Sequence, residues 1–309
     1  MRWSSASVLG RDRQHFCRVL AVAHNSSELL ARSKCGTKIM FERSTIDVPI
    51  EEQNFHFDEY RPASRIGGIT PSVSVVIPAL NEAKNLPSVL PRIPGWVMEV
   101  LLVDGRSVDG TPEVARQLLP DIRIVTQKRR GKGAALQAGF EEARGDIIVM
   151  LDADGSMDAA EIPLFVGALL SGAEFVKGSR FVQGGGTADM EWYRRLGNAG
   201  LKNLVRAYFG GRFSDLCYGY IAFWRRLLPT LDIRTDGFEV ETMMNVRALK
   251  SGLRIAEVPS FEARRLHGQS NLRTIPDGWR VLQTIVREGP RPWSFDRRRY
   301  KTAARVGQS

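Results

Sequence analysis

From residue 73 onward the chain alternates short, apolar, β-branched runs with segments of helical period, and this rhythm constrains the fold more than any other feature. Val73-Ser-Val-Val-Ile77, stopped by Pro78, predicts a buried strand. A helical pattern follows from about Glu82, and Glu99-Val-Leu-Leu-Val103 predicts a second strand ending at Asp104-Gly105. Thr111-Pro112-Glu113 carries the cap and first-turn proline of a helix running to about Leu119. Ile122–Val125 predicts a third strand, Gly133–Arg144 a helix, and Asp146–Leu151 a fourth strand that is apolar on both faces. Glu161–Leu170 is then helical and Glu174–Val176 a fifth strand. Strands separated by helices of this length imply βαβ units and a mostly parallel sheet covered on both sides. Ligands of such sheets bind beyond the carboxyl ends of the strands. The residues placed there are Asn81 and Glu82, Asp104, and Asp152 with Asp154.

The second half is less regular. Glycines 184 to 186 mark a loop, Tyr193–Phe209 and Phe238–Ser251 predict helices, and Tyr220–Trp224 and Leu253–Val258 predict strands. From Pro276 to Glu288 a helix is expected to be amphipathic, with Ile275, Trp279, Leu282 and Val286 at helical spacing. Residues 1–70 hold no sustained period and read as a poorly ordered extension. The expected organisation is thus an extension over 1–70, a catalytic domain over 71–275, and an amphipathic helix with a basic tail over 276–309.

Charge and cysteine usage narrow the classes. No apolar run reaches the length of a membrane-spanning helix, and Val19–Ala23 is too short for a secretory core, so a cytoplasmic location is expected. Cys17, Cys35 and Cys217 lack the spacing of a disulfide framework or zinc site, and Cys217, flanked by apolar and aromatic residues, is expected in the core. Of the net charge of +10, half lies after residue 286, where seven basic residues face two acidic ones. Such a tail suits an anionic membrane surface or plain solvation. Nucleic-acid binding is disfavoured, because aromatic residues are not interleaved with the basic stretches as stacking platforms.

The chemistry centres on Asp152-Ala153-Asp154, directly after the fourth strand. Two carboxylates at this spacing can present oxygens to one hard cation such as Mg²⁺ or Mn²⁺, and such a cation can bridge phosphates. Taken alone the triplet reads first as a strand-end turn with solvated acids, and its neighbours at the other strand ends turn the reading toward a metal site. Lys132 lies in Arg129-Arg-Gly-Lys-Gly133, where glycines and a helix N-terminus could admit an anion. This is not a Walker loop, whose terminal Lys-Ser/Thr is missing. Asp104 could accept hydrogen bonds from a ribose or a base edge, or could simply cap its turn.

Val75-Val-Ile-Pro-Ala-Leu-Asn-Glu82, Val103-Asp-Gly-Arg-Ser-Val-Asp-Gly-Thr111, Gly131-Lys-Gly133, Asp146–Asp154, Gly178-Ser-Arg180 and Ser214-Asp215 occur in a familiar order. Together they resemble the family 2 glycosyltransferases, closest to the dolichyl-phosphate mannose synthase group, over about residues 73–275. The resemblance implies a GT-A fold, a Rossmann-like, mostly parallel sheet flanked by helices in a single catalytic domain. It implies transfer of a hexose from a GDP-mannose or UDP-glucose type donor to a polyprenyl phosphate. By the same likeness Pro78, Asn81, Glu82, Asp104 and Lys132 hold the nucleoside end, and Asp152 and Asp154 bind the diphosphate through the metal. Arg180, Arg194, Arg195, Asn198, Arg265 and His267 match positions toward the acceptor phosphate and the closing segment. Two positions depart from the pattern. Asp104-Gly105 stands where the family often has paired acids, and Ser156 stands where it often has Gln.

The implied reaction is an in-line, inverting displacement. A phosphate monoester is largely dianionic at pH 7 and needs little general base. For a hydroxyl acceptor, the second function considered, Asp215 and Glu241 are the carboxylates to suspect. The C-terminal helix and tail add an expected peripheral contact with the inner face of the plasma membrane.

Overall fold

The computed structural model describes residues 70–188, 190–211, 213–268 and 274–289. Apart from Thr70, the predicted N-terminal extension lies outside the described residues, as does the basic tail after residue 289.

Nine strands and eight helices are found among the described residues. In chain order they are β1 (Val73–Ala79), α1 (Leu86–Val89), β2 (Glu99–Asp104), α2 (Thr111–Leu118), β3 (Arg123–Thr126), α3 (Lys132–Glu142), β4 (Ile147–Met150), α4 (Ile162–Leu170) and β5 (Phe175–Ser179). Then follow β6 (Gly186–Thr187), α5 (Trp192–Phe209), β7 (Ile221–Trp224), α6 (Leu228–Leu231), α7 (Val240–Lys250), β8 (Ile255–Pro259), β9 (Phe261–Glu262) and α8 (Thr274–Glu288). Seven strands form one sheet in the order β3-β2-β1-β4-β7-β5-β8, and β6 and β9 pair separately.

The sheet is parallel except for β7, which runs antiparallel to both β4 and β5. Its central strands bury alternate side chains on opposite faces, as the period of two requires. Val75, Ile77, Leu102, Ile147 and Val149 join Phe165 in one layer. Val76, Leu101, Val103, Ile148 and Met150 join Phe140 and Phe223 in the other. Burial on both faces explains why these strands read as continuous apolar runs. Phe223 anchors the antiparallel strand, meeting Phe140 edge-on at 5.3 Å and Phe175 at 6.3 Å.

A third apolar cluster joins α5, α7 and α8 through Val205, Leu216, Val246, Val281 and Ile285. The helical period predicted for α8 is present, but its phase differs. Val281, Thr284 and Ile285 face inward, whereas Trp279 and Val286 of the predicted stripe are 59% and 53% exposed. Leu282 is half-buried. The reason is tertiary: α5 and α7 present their groove to one side of α8, and a helix with apolar residues on two sides can bury only one against it. No described helix is long and apolar enough to cross a membrane.

Phe223→Ala removes a ring with no exposure from the centre of the sheet. It is expected to cost about 3–5 kcal/mol of unfolding free energy, to be measured by urea denaturation at neutral pH.

Candidate active site

The carboxyl ends of β1, β2 and β4 open into a cleft of about 530 Å³, whose far wall is made by α5, α7 and α8. β4 stops at Met150, and Leu151 is still buried. The next residues leave the sheet, so Asp152 and Asp154 project into the cleft while Ala153 between them packs inward. Ser156 donates from both its backbone N (3.0 Å) and its Oγ (2.7 Å) to Asp154 Oδ1. This serine therefore orients Asp154, a role that its place two residues downstream makes local and cheap.

Lys132 opens α3 and reaches across the cleft floor. Its Nζ lies 2.5 Å from Asp152 Oδ1, 2.8 Å from Oδ2 and 2.6 Å from Glu241 Oε1 on α7. Burial alone would lower the Lys132 pKa, but the two carboxylates outweigh it and hold the ammonium charged. Asp152 is pushed up to about 6 by burial and by the neighbouring Asp154 and Glu241, against the pull of Lys132. On the first βα turn, Glu82 accepts from Asn85 (2.6 Å) and pairs with Arg265, which also lies 3.5 Å from Asp154 Oδ2. Burial is the main cause raising the Glu82 pKa. Four carboxylates, Glu82, Asp152, Asp154 and Glu241, thus share two cations, Lys132 and Arg265.

The glycines around Lys132 do something other than admit an anion. A Cβ on Gly133 would lie 2.1 Å from Thr235 O, and one on Gly131 2.1 Å from Asp236 O. The helix N-terminus is already capped, since Gly133 N (2.8 Å) and Ala134 N (3.3 Å) both donate to Asp236 O. The two glycines let the 235–237 segment press onto α3, and the expected anion cradle is absent because another backbone fills it.

Of the residues expected at the site, Pro78, Glu82, Lys132, Asp152, Asp154, Arg180, Arg194, Asn198, Glu241 and Arg265 line the cleft, whereas Asn81, Asp104, Arg195, Asp215 and His267 do not. Asp104, 6% exposed, accepts from the amides of Arg106 and Ser107 and so shapes the loop after β2; Gly105 is the residue that faces the cleft. Asn81 accepts from Val108 N and tightens the same loop. Arg195 lies over the Phe181 ring, outside. His267 contributes its backbone, whose N and O pair with the Asn85 side chain and tie the 263–268 segment to the first turn.

Asp215 is not a base facing the cleft, because it has no exposed surface. Arg180 grips it through Nε (2.6 Å) and Nη2 (2.9 Å), and Asn198 adds a bond at 3.2 Å. Burial pushes its pKa up, but the Arg180 hydrogen bonds and the nearby Lys177 charge outweigh that and hold it below the usual range. Arg180 spends its remaining nitrogen on Glu262 at 3.0 Å and stacks 4.8 Å over Tyr218. The guanidinium expected on the acceptor phosphate is occupied by carboxylates. Cys217 is likewise not a core residue: it is exposed and lines the cleft. Glu262, on β9, and Lys177, wholly buried under the Tyr218 carbonyl, had no sequence signal, since each acquires its role from distant partners.

A parallel sheet interrupted by one antiparallel strand, with an acidic pair beyond the central strand, defines the GT-A class of glycosyltransferases. The model of the family described as "Glycosyl transferase family 2" matches residues 74–231. The chain belongs to that family. It is 31% identical over 220 residues to "Glycosyltransferase AglJ" of Haloferax volcanii, covering 70% of this chain and 71% of that protein. It is 33% identical over 206 residues to "Polyprenol monophosphomannose synthase" of Mycolicibacterium smegmatis, covering 62% and 78%. Among solved structures it resembles glucosyl-3-phosphoglycerate synthase from Mycobacterium tuberculosis in complex with Mn²⁺, UDP and glucosyl-3-phosphoglycerate. The TM-score is 0.58, with 26% identity over 75% of this chain and 88% of that one.

Removing Arg180 leaves Asp215 charged and without its main partner. Arg180→Met is expected to cost about 3–5 kcal/mol of stability, and Arg180→Met combined with Asp215→Leu to recover much of it, both read by urea denaturation. A depressed carboxylate stabilises above its unfolded pKa, so the Asp215 contribution is full above about pH 5 and fades as pH falls through its folded value. In acid titrations the difference between the wild type and the double variant should therefore shrink.

Proposed function

We propose that this protein moves a hexose from a nucleoside-diphosphate sugar to a polyprenyl phosphate, with inversion at the anomeric carbon. The observation that carries this reading is the cleft's polarity. One end is acidic and suited to a metal-bound diphosphate; the other joins Arg194 to an apolar wall of Tyr193 and Leu201 on α5 and Val281 on α8. Arg194 has a buried Nε with no hydrogen-bond partner among the described residues, which suits it to an entering phosphate. The apolar wall beside it suits an isoprenoid chain.

The residues at the acidic end fit a divalent cation. The cleft floor holds two more carboxylates than cations, and Asp152 and Asp154 are partly open, with 27% and 23% of their side chains exposed. Among the described residues no third metal-ligating side chain joins them. That agrees with Mg²⁺ or Mn²⁺, which keep waters and take phosphate oxygens beside one or two carboxylates. Asp152 and Asp154 would hold the ion, which supplies charge stabilisation for the leaving diphosphate. Arg265 stands beside the same group, and Pro78, Glu82 and Gly105 border the nucleoside side of the cleft.

The carboxylate pairing also bears on the acceptor. Glu82, Asp152, Asp154, Glu241, Glu262 and Asp277 line the cleft, and each has a cationic partner. The cations occupy oxygens that a carboxylate would need to take a proton from a hydroxyl, whereas a phosphate dianion attacks without a base. A hydroxyl acceptor is the second reading, favoured by the phosphoglycerate-type product named for the mycobacterial neighbour. Outward-facing Trp279 and Val286 on α8, with Trp192 and Leu196 on α5, support a peripheral membrane contact that would bring the lipid to the cleft.

The test is incubation with Mn²⁺, labelled GDP-mannose or UDP-glucose, and polyprenyl phosphate, followed by phase partition. Label is expected in the organic phase; label transferred only to water-soluble acceptors overturns the lipid assignment. Asp154→Ala should lower kcat by about 10²-fold or more in either case.

A further inference from the structure

Resting on the reading of Asp152 and Asp154 as the seat of a divalent cation, we propose that Lys132 is a resident stand-in for that cation. The metal then enters the cleft together with the diphosphate rather than ahead of it. The geometry is that of an occupied seat. The Lys132 ammonium lies within hydrogen-bond distance of both Asp152 oxygens, at 2.5 and 2.8 Å, with its side chain only 10% exposed. An ion bound by Asp152 would have to share those lone pairs with a positive charge a few ångströms away, in a cleft floor where burial weakens screening.

Glu241 provides the second half of the device. Its Oε1, on a different helix, holds the same ammonium at 2.6 Å. Lys132 can therefore release Asp152 without losing every partner. Gly219 leaves no slack there, since a Cβ on it would lie 2.4 Å from Glu241 Oε1 and 3.1 Å from Lys132 Nζ. The absence of a side chain at Gly219 is what leaves room for the Lys132–Glu241 pair. An arriving diphosphate brings negative charge toward which the released ammonium can turn, so nucleotide and metal each lower the cost of admitting the other. Linkage makes that help reciprocal.

The experiment measures Mn²⁺ binding by the loss of the free-ion paramagnetic resonance signal, with the full chain, in the absence and presence of UDP or GDP. For the wild type, nucleotide should tighten Mn²⁺ binding by about tenfold or more, a typical allosteric coupling. Lys132→Met should bind Mn²⁺ alone more tightly than the wild type, with the nucleotide effect reduced. Glu241→Gln leaves the ammonium to Asp152 and should bind Mn²⁺ alone more weakly. Lys132→Met binding Mn²⁺ alone no better than the wild type, or Glu241→Gln binding it better, overturns the inference while leaving the metal site standing. Absence of Mn²⁺ binding by the wild type with either nucleotide overturns the metal reading itself.

Discussion

Both faces of the central strands are buried, and nearly everything about this protein's chemistry follows from that constraint. A strand covered by helices on either side tolerates a charged side chain only where a partner meets it, as the Tyr218 carbonyl meets Lys177 on β5, and its backbone groups are consumed by neighbouring strands. Polar function is displaced to the points where the strands end. β4 carries four buried apolar residues and then, once the ladder stops, an acid, an inward alanine and a second acid. The outward acids of that triplet are in the cleft because the sheet has no other place for them.

Once several acids share a cleft floor, charge balance organises the rest. Burying a carboxylate without a partner is costly, so the structure recruits cations from far along the chain. Lys132 comes from α3 and Arg265 from the segment after β9, and they meet Asp152, Asp154 and Glu82 at the strand ends and Glu241 on α7. The same logic rules the rest of the cleft. Arg180 is committed to Asp215 and Glu262, whereas Arg194, also in the cleft lining, has a buried Nε with no hydrogen-bond partner among the described residues. Pairing decides which of several chemically similar residues are available to a substrate.

Much of this was legible in the residues themselves. The strands, the mostly parallel sheet and the position of Asp152-Ala153-Asp154 follow from local periodicity. What escaped was the identity of the partner at each site. The glycines flanking Lys132 look like an anion cradle until the 235–237 backbone, a hundred residues on, is seen to fill it. Asp215 looks like a candidate base until Arg180 covers it. Cys217 has core-like neighbours in sequence but faces the cleft, because the Asp215–Gly219 turn points it there. The apolar stripe of α8 has the right period, yet α5 and α7 take the other side of the helix.

By itself, the sequence determined the alternating architecture, the family and the acidic pair beyond β4, because these depend on residues a few positions apart: side-chain period, β-branching and turn chemistry. The tertiary structure alone decided which carboxylates are neutralised, which arginine is committed to them, where β7 inserts antiparallel, and which face of α8 is buried. Those outcomes depend on charges and surfaces brought within a few ångströms by folding. The energy of a buried ion pair or a packed helix face is a property of the meeting, and neither partner carries it alone.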